Sequence, residues 1–256
     1  MSDVAVLVPI YRSSLDPLEK YSLDHSVSVL AGRTVIFIGP KTLDAGYISE
    51  HFPTIPFHPF DAPCFESVAE YSRLLLSPSF YERYSDHEFV LILQTDAIVL
   101  RDELDFWCSQ PFDYIGAPWP NGYELFVNLG LFEGNFGKRV KVQVGNGGLS
   151  LRRVSKCISL LREFEIAINV FDFTGSNEDL FFSVMGSLSN DFVVPNEITA
   201  SRFSMELGPT YYHHVNGGHM PMGGHAWWRH EPEFWTAHLP DAPPLLADSE
   251  APELAP

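Results

Sequence analysis

The stretch FVLILQTDAIVL, Phe89 to Leu100, decides the fold. It is aliphatic and β-branched almost throughout, long enough for a strand and too short for a membrane span. Apolar character without alternation predicts a strand covered on both faces, as at the centre of a parallel or mixed α/β sheet. Asp96 interrupts it. A carboxylate in such a place is costly unless it is paired, hydrogen-bonded or bound to a cation, so Asp96 demands a partner.

Strands and helices alternate outward from this run. VAVLVPIY (Val4–Tyr11) and TVIFIGP (Thr34–Pro40) read as strands, the second closed by Gly39-Pro40. Between them a helix is predicted over Asp16–Leu30, with Leu15, Leu18, Leu23, Val27 and Leu30 at helical spacing. This strand–helix–strand opening is the usual start of an open parallel sheet. Further helices are predicted over Glu66–Ser77, after Pro78, over residues 154–169 and over Asn177–Leu188, where Asn177 stands as N-cap. A strand is expected over Asp113–Trp119, and VQVGNGGLSLRR begins as an extended piece broken by glycines. The expected architecture is α/β: one domain over residues 1–238, followed by a disordered Pro/Ala/acidic tail over 239–256.

Composition narrows the function classes. Sixteen basic against 33 acidic residues give a net charge of −17, which argues against nucleic acid or an anionic membrane surface as partner. A hydrophobic fraction of 45% and a mean hydropathy of −0.01 fit a soluble globular protein. Cys64, Cys108 and Cys157 form no CxxC and no framework, which predicts reduced thiols and a cytoplasmic setting. The opening MSDVAVLVPIYR predicts no signal peptide, and no stretch approaches the roughly 20 apolar residues of a membrane helix.

Four stretches could carry chemistry. Gln94-Thr95-Asp96 ends the inner strand, where Asp96 either caps a turn or holds a ligand. Gly145, Gly147 and Gly148 in VGNGGLSLRR permit a tight turn or a close approach of backbone to a ligand, but spell neither a dinucleotide fingerprint nor a P-loop. Glu178-Asp179 open a helix, as the helix dipole favours or as a catalytic pair requires. The segment from Pro209 is rich in histidine: His213, His214, His219, His225 and His230. It contains no HExxH or HxHxD, which weighs against a zinc hydrolase built from these residues.

QTDAIVL resembles the DxDxxV/I end of the central strand in nucleotide-sugar glycosyltransferases of the GT-A fold. The succession FYERYSDHEFVLILQTDAIVLRDELDFW, DYIGAPW, GNGGLSLR, NEDLFF and GGHAWW, over Phe80–Trp228, resembles a bacterial glycosyltransferase-like domain family of unknown function. That resemblance implies a GT-A-like (Rossmann-like) open mixed sheet flanked by helices. It implies an enzyme moving a sugar from a nucleoside diphosphate donor, expected to be a uridine diphosphate sugar, to a glycan or glycolipid acceptor in polysaccharide biosynthesis. Asp96 then takes the metal position for Mn²⁺ or Mg²⁺, with His225 favoured over His219 as the imidazole ligand. Gln94 replaces the first acid of the pair and contacts ribose or base beside Thr95, and Gly147 and Gly148 flank the donor sugar. In an inverting mechanism Asp179 is the base and Glu178 orients or binds the acceptor. By side-chain chemistry, Arg152 could hold a phosphate, and Trp119, Trp227 and Trp228 could offer flat faces to acceptor sugars. The rival class is a carbohydrate- or nucleotide-sugar-binding protein of the same fold without catalysis, for which Gln94 is the main support.

Overall fold

The computed structural model describes residues 3–127 and 137–244. The chain runs through β1 (Val4–Pro9), α1 (Pro17–Val29), β2 (Thr34–Pro40), α2 (Gly46–His51), β3 (Phe57–Phe60), α3 (Val68–Leu75) and α4 (Pro78–Glu82). Then come β4 (Phe89–Leu93), β5 (Ala97–Val99), α5 (Leu104–Cys108), β6 (Tyr114–Val127), β7 (Lys138–Arg153), α6 (Val154–Glu163) and α7 (Glu165–Thr174). It continues with α8 (Glu178–Leu188), α9 (Glu197–Phe203), β8 (Ser204–Met205), α10 (Pro209–Val215), β9 (Gly223–His225) and α11 (Pro232–His238).

The main sheet has the order β3-β2-β1-β4-β7-β6. Its first four strands are parallel, while β7 runs antiparallel to both β4 and β6. Alternation along β4 explains its unbroken apolarity. Val90 and Ile92 enter one core with α3, α4, α6, α7 and α8; Phe89, Leu91 and Leu93 enter the other with α1, α2, α5 and α9. Both faces are covered, as expected of an open mixed sheet flanked by helices.

The predicted run Phe89–Leu100 is not one strand. It breaks at Gln94-Thr95-Asp96, where the Ala97 N–H donates to the Gln94 carbonyl at 2.9 Å, and resumes as β5 in a second sheet ordered β5-β9-β8. Ile98 and Val99 are as buried there as β4 is in the main sheet, so apolarity alone conceals the break. The glycines at 145–148 likewise make no turn; they lie within the continuous strand β7. The single helix expected over 154–169 is divided at Phe164 into α6 and α7.

Local chemistry explains the better-matched elements. Asp16 caps α1, its carboxylate accepting the Leu18 and Glu19 N–H groups, with Pro17 at the first helical position and Glu19 returning to the Asp16 N–H. Asn177 occupies the N-cap position of α8 but makes no side-chain cap bond. Cys108 and Cys157 are buried and Cys64 is half-buried. Leu239, where the tail was expected to begin, is buried against the third core around Trp227 and Trp235; residues 245–256 lie outside the described residues. Among the described residues, no helix is long and apolar enough to cross a membrane.

Candidate functional site

The second sheet supplies the partner Asp96 demands. β5 pairs antiparallel with β9 in a register that sets Ala97 opposite His225. The Ala226 N–H donates to the Asp96 carbonyl at 3.0 Å. His225 Nε2 then lies 3.2 Å from Asp96 Oδ1 and 3.2 Å from Gln94 Oε1. The other ring nitrogen, Nδ1, lies 2.7 Å from Glu206 Oε2, just beyond β8. Arg229 Nη2 approaches Asp96 Oδ2 at 3.6 Å, and His230 Nε2 stands 3.7 Å from Glu206 Oε1.

The electrostatics follow from this arrangement. Burial opposes charge on Asp96, but the neighbouring His225, the hydrogen bond to it and Arg229 outweigh burial and hold the carboxyl below its usual range. Burial likewise opposes charge on His225, yet Glu206 and Asp96 raise it well above an ordinary histidine. Ala226, immediately after His225, has φ 45°, a strained conformation for a residue with a Cβ. The glycines of GGH are not a flexible pair: Gly223 packs against the Ile98 carbonyl and Gly224 against the Trp235 ring, too closely for any Cβ.

The bare backbone of β7 joins this cluster to the acids of α8. A Cβ on Gly148 would overlap the His225 ring. One on Gly147 would lie 3.1 Å from both Arg152 Nη2 and Glu178 Oε1 and 3.3 Å from Asp179 Cβ. One on Gly145 would overlap the Trp119 ring and sit 3.1 Å from the Asp179 carbonyl. Gln94 ties β4 to the same run, its N–H donating to the Gly148 carbonyl at 2.9 Å. His225 and Asp179 therefore touch the same four-residue stretch of strand, and Glu206, which holds His225, acts electrostatically on Asp179. Gly148→Ala is expected to drive the imidazole off Asp96 and to lower stability by roughly 1–3 kcal/mol; a urea unfolding curve superimposable on the parent's would remove Gly148 from this role.

Asp179 is half-buried at the start of α8, with Oδ1 accepting the Leu180 N–H at 2.6 Å. Burial, reinforced by the adjacent Glu178, raises it to about 7; the Leu180 N–H and Arg152 act the other way. Glu178 is buried and fully engaged, Oε1 with Arg152 Nη2 at 3.0 Å and Oε2 with the Ser72 hydroxyl at 3.0 Å. It presents no free oxygen to an acceptor.

Several expected ligand contacts are redirected. Arg152 is completely buried, donating to Tyr81, Ser150 and Glu178, and offers nothing to a phosphate. Trp227 is completely buried with its N–H on the Ser22 hydroxyl, leaving no face for a sugar. Trp119 is buried against Gly145 and Tyr123; Trp228 is half-buried, edge-on to Trp227. Thr95 is buried and donates to Glu19 at 2.7 Å. His214 and His219 are exposed, and His213 packs on Phe234 and His238.

Other residues come forward that the motifs do not mark. Arg12, on the loop after β1, pairs with the buried Glu19, which also holds Thr95. The half-exposed Tyr11 beside it feels the charges of Asp96 and Arg229. Glu206 and Arg229 complete the cluster. Among the described residues, no group of three or more His, Cys, Asp or Glu side chains is arranged to hold a metal ion by itself.

No curated protein shows significant similarity to the chain. Among solved structures, its fold is similar to that of mouse xyloside xylosyltransferase 1 in the apo form, with a TM-score of 0.54 at 10% identity, covering 87% of this chain and 97% of that one. Two structures of the glycosyltransferase GlyE from Streptococcus pneumoniae TIGR4, one in the apo form, match at 14% identity over 88% of this chain with TM-scores of 0.47. The chain spans 54% and 55% of those two chains. The xylosyltransferase match extends along nearly the whole of both molecules, so the mixed sheet with helices on either face is a GT-A-like fold. Residues 54–225, more than half of the chain, match the family described as "Protein of unknown function (DUF5672)", and the chain belongs to that family.

Proposed function

We propose that the protein transfers a sugar from a nucleoside diphosphate sugar, a uridine diphosphate sugar in the first instance, to a hydroxyl of a glycan or glycolipid acceptor in the cytoplasm, with inversion at the anomeric carbon. One observation carries the reading: Asp96, Gln94 and His225 converge beyond the end of β4, and Asp179 rests on the same bare stretch of β7. Ligands of open α/β sheets bind outside the carboxyl ends of the strands, which is where this cluster lies.

The donor set suits a hard divalent cation such as Mn²⁺ or Mg²⁺. Asp96 Oδ1 and Gln94 Oε1 are oxygen donors that meet His225 Nε2 at 3.2 Å each, and Glu206 fixes the ring through Nδ1, as carboxylates commonly orient ligating histidines. Asp96 and His225 would hold the ion once His225 has given up the Nε2 proton that Glu206 and Asp96 stabilise, leaving its other positions to diphosphate oxygens and water. When bound there, it supplies Lewis-acid stabilisation of the departing diphosphate.

The chain's own residues account for the remaining chemistry. Asp179 accepts the proton of the acceptor hydroxyl as its oxygen bonds to the anomeric carbon and the bond from that carbon to the diphosphate oxygen breaks, leaving the electron pair on the diphosphate. A pKa of about 7 suits this role, since a base works best when its proton affinity lies near the operating pH. Arg229, half-exposed beside Asp96, is placed to meet phosphate oxygens once Asp96 is engaged elsewhere. Tyr11, on the loop after β1, offers its ring to the base or ribose.

Thermal unfolding in the presence of nucleotide sugars tests the reading. A donor at 100 times its dissociation constant raises stability by about 2.7 kcal/mol, and this gain should require Mn²⁺ or Mg²⁺. Equal stabilisation with and without metal, and no transfer to any acceptor, would favour the second reading: a nucleotide-sugar-binding protein without catalysis. That reading draws on Gln94 in place of an acid and on His225 already satisfied by its neighbours.

A further inference from the structure

Arg152 and Glu178 were expected to touch substrate, and both are buried side chains that face each other. Building on the assignment of Asp179 as base, we propose that they are positioning residues: a buried ion pair, clamped at both ends, that seats the first turn of α8 on β7 and thereby fixes the Asp179 carboxylate.

The hydrogen bonds of the clamp join four elements, α3, α4, β7 and α8. Arg152 Nη1 donates to the Tyr81 hydroxyl of α4 at 2.9 Å, Nε to the Ser150 hydroxyl at 3.0 Å and Nη2 to Glu178 Oε1 at 3.0 Å. Its guanidinium also lies over the rings of Tyr114 and Phe182, 5.2 and 5.3 Å from their centroids. Ser150 in turn donates to the Gly147 carbonyl at 2.9 Å. Glu178 Oε2 takes the Ser72 hydroxyl of α3 at 3.0 Å. A complete set of partners is what a buried ion pair needs to be tolerated.

Gly147 locates the consequence. The guanidinium, the Glu178 carboxylate and Asp179 Cβ all lie within 3.1–3.3 Å of one point, where its Cβ would stand. The pair thus bears directly on the residue that carries the reacting oxygen. Gly145 supports the other side, packing against the Asp179 carbonyl, while Tyr114 donates to the Gly145 carbonyl at 2.5 Å. The ionisable groups acting on Asp179 are Glu178 on its own helix, Arg152 of β7 and Glu206 beyond β8, with Tyr114 of β6 within electrostatic range. Glu178 is the like charge among its immediate neighbours; Arg152 offsets it and holds it in place.

The test uses Glu178→Gln, which keeps the shape and an oxygen for Arg152 but removes the charge. The Asp179 carboxyl titration, followed by ¹³C NMR and identified by its absence from Asp179→Asn, should shift down by about one pH unit or more. The acid limb of kcat should follow it, with the KM for the donor unchanged. A variant that loses activity without moving the Asp179 titration would overturn the proposal, because a merely structural Glu178 gives that result. The parent protein provides a second check that requires no substitution. Its Asp179 should titrate near 7, chiefly through burial, whereas a midpoint at the ordinary value of about 4 would show that the carboxylate is not held in the buried seat that the pair is proposed to fix. The NMR readout needs no turnover, so full transfer by Asp179→Asn would sink the base assignment separately from the positioning role.

Discussion

Asp179→Asn is expected to lower the transfer rate by about 10²- to 10⁴-fold, the contribution typical of a positioned general base, while leaving affinity for the nucleotide sugar within twofold. The asymmetry is diagnostic. Asp179 stands against β7 at Gly145 and Gly147, one side of the run, and contributes no atom to the Asp96–His225 cluster that is proposed to grip the diphosphate. Asparagine preserves size and the acceptor for the Leu180 N–H, so the start of α8 is retained and the change isolates proton transfer. In the parent, kcat should rise with pH through about 7 as the carboxyl deprotonates, and the variant's residual rate should be flat across that range. Equal losses in donor affinity and rate would place Asp179 in the donor site instead.

Arg152→Met is expected to produce the largest loss of stability, about 3–5 kcal/mol, as breaking one side of a buried ion pair leaves the other charge without compensation. The guanidinium is completely buried and bonded to Tyr81, Ser150 and Glu178, so no solvent can take its place. The double variant Arg152→Met with Glu178→Leu should recover much of that loss, because removing both charges abolishes the desolvation cost. Urea unfolding of the two proteins distinguishes this account from one in which Arg152 binds a ligand phosphate. A ligand-binding Arg152 predicts little change in the stability of the free protein from the single substitution.

The sequence signals that held were local ones. The bounds of β2 match the run TVIFIGP, which closes at Gly39-Pro40. α1 is legible from the helical spacing of Leu15, Leu18, Leu23, Val27 and Leu30, and the structure adds the capping box of Asp16 and Glu19 at its start. The demand for a partner at Asp96 was also sound, since desolvation of a carboxylate does not depend on which element bears it. What escaped were the features set by the third dimension. The β4–β5 break was hidden because both sheets bury aliphatic residues equally. The glycine run resembled a turn because sequence does not distinguish a backbone that bends from one that must stay bare for side chains arriving from α8 and β9. Arg152 and Trp227 carry polar atoms whose partners, Tyr81, Ser150, Glu178 and Ser22, are scattered along the chain. Glu206 and Arg229 stand in no periodic pattern, and only the β5–β9–β8 pairing brings Glu206 to His225 and Arg229 to Asp96.

The central claim is that the Asp96 carboxylate and the His225 imidazole together hold a divalent cation against a nucleoside diphosphate. Anomalous scattering at the manganese edge, from crystals grown with Mn²⁺ and uridine diphosphate, tests it most directly. The account predicts a single strong peak bonded to Asp96 Oδ1 and His225 Nε2, with Nδ1 still on Glu206 and diphosphate oxygens completing the coordination. A nucleotide bound elsewhere, with His225 still paired to Asp96 and no manganese between them, would contradict it.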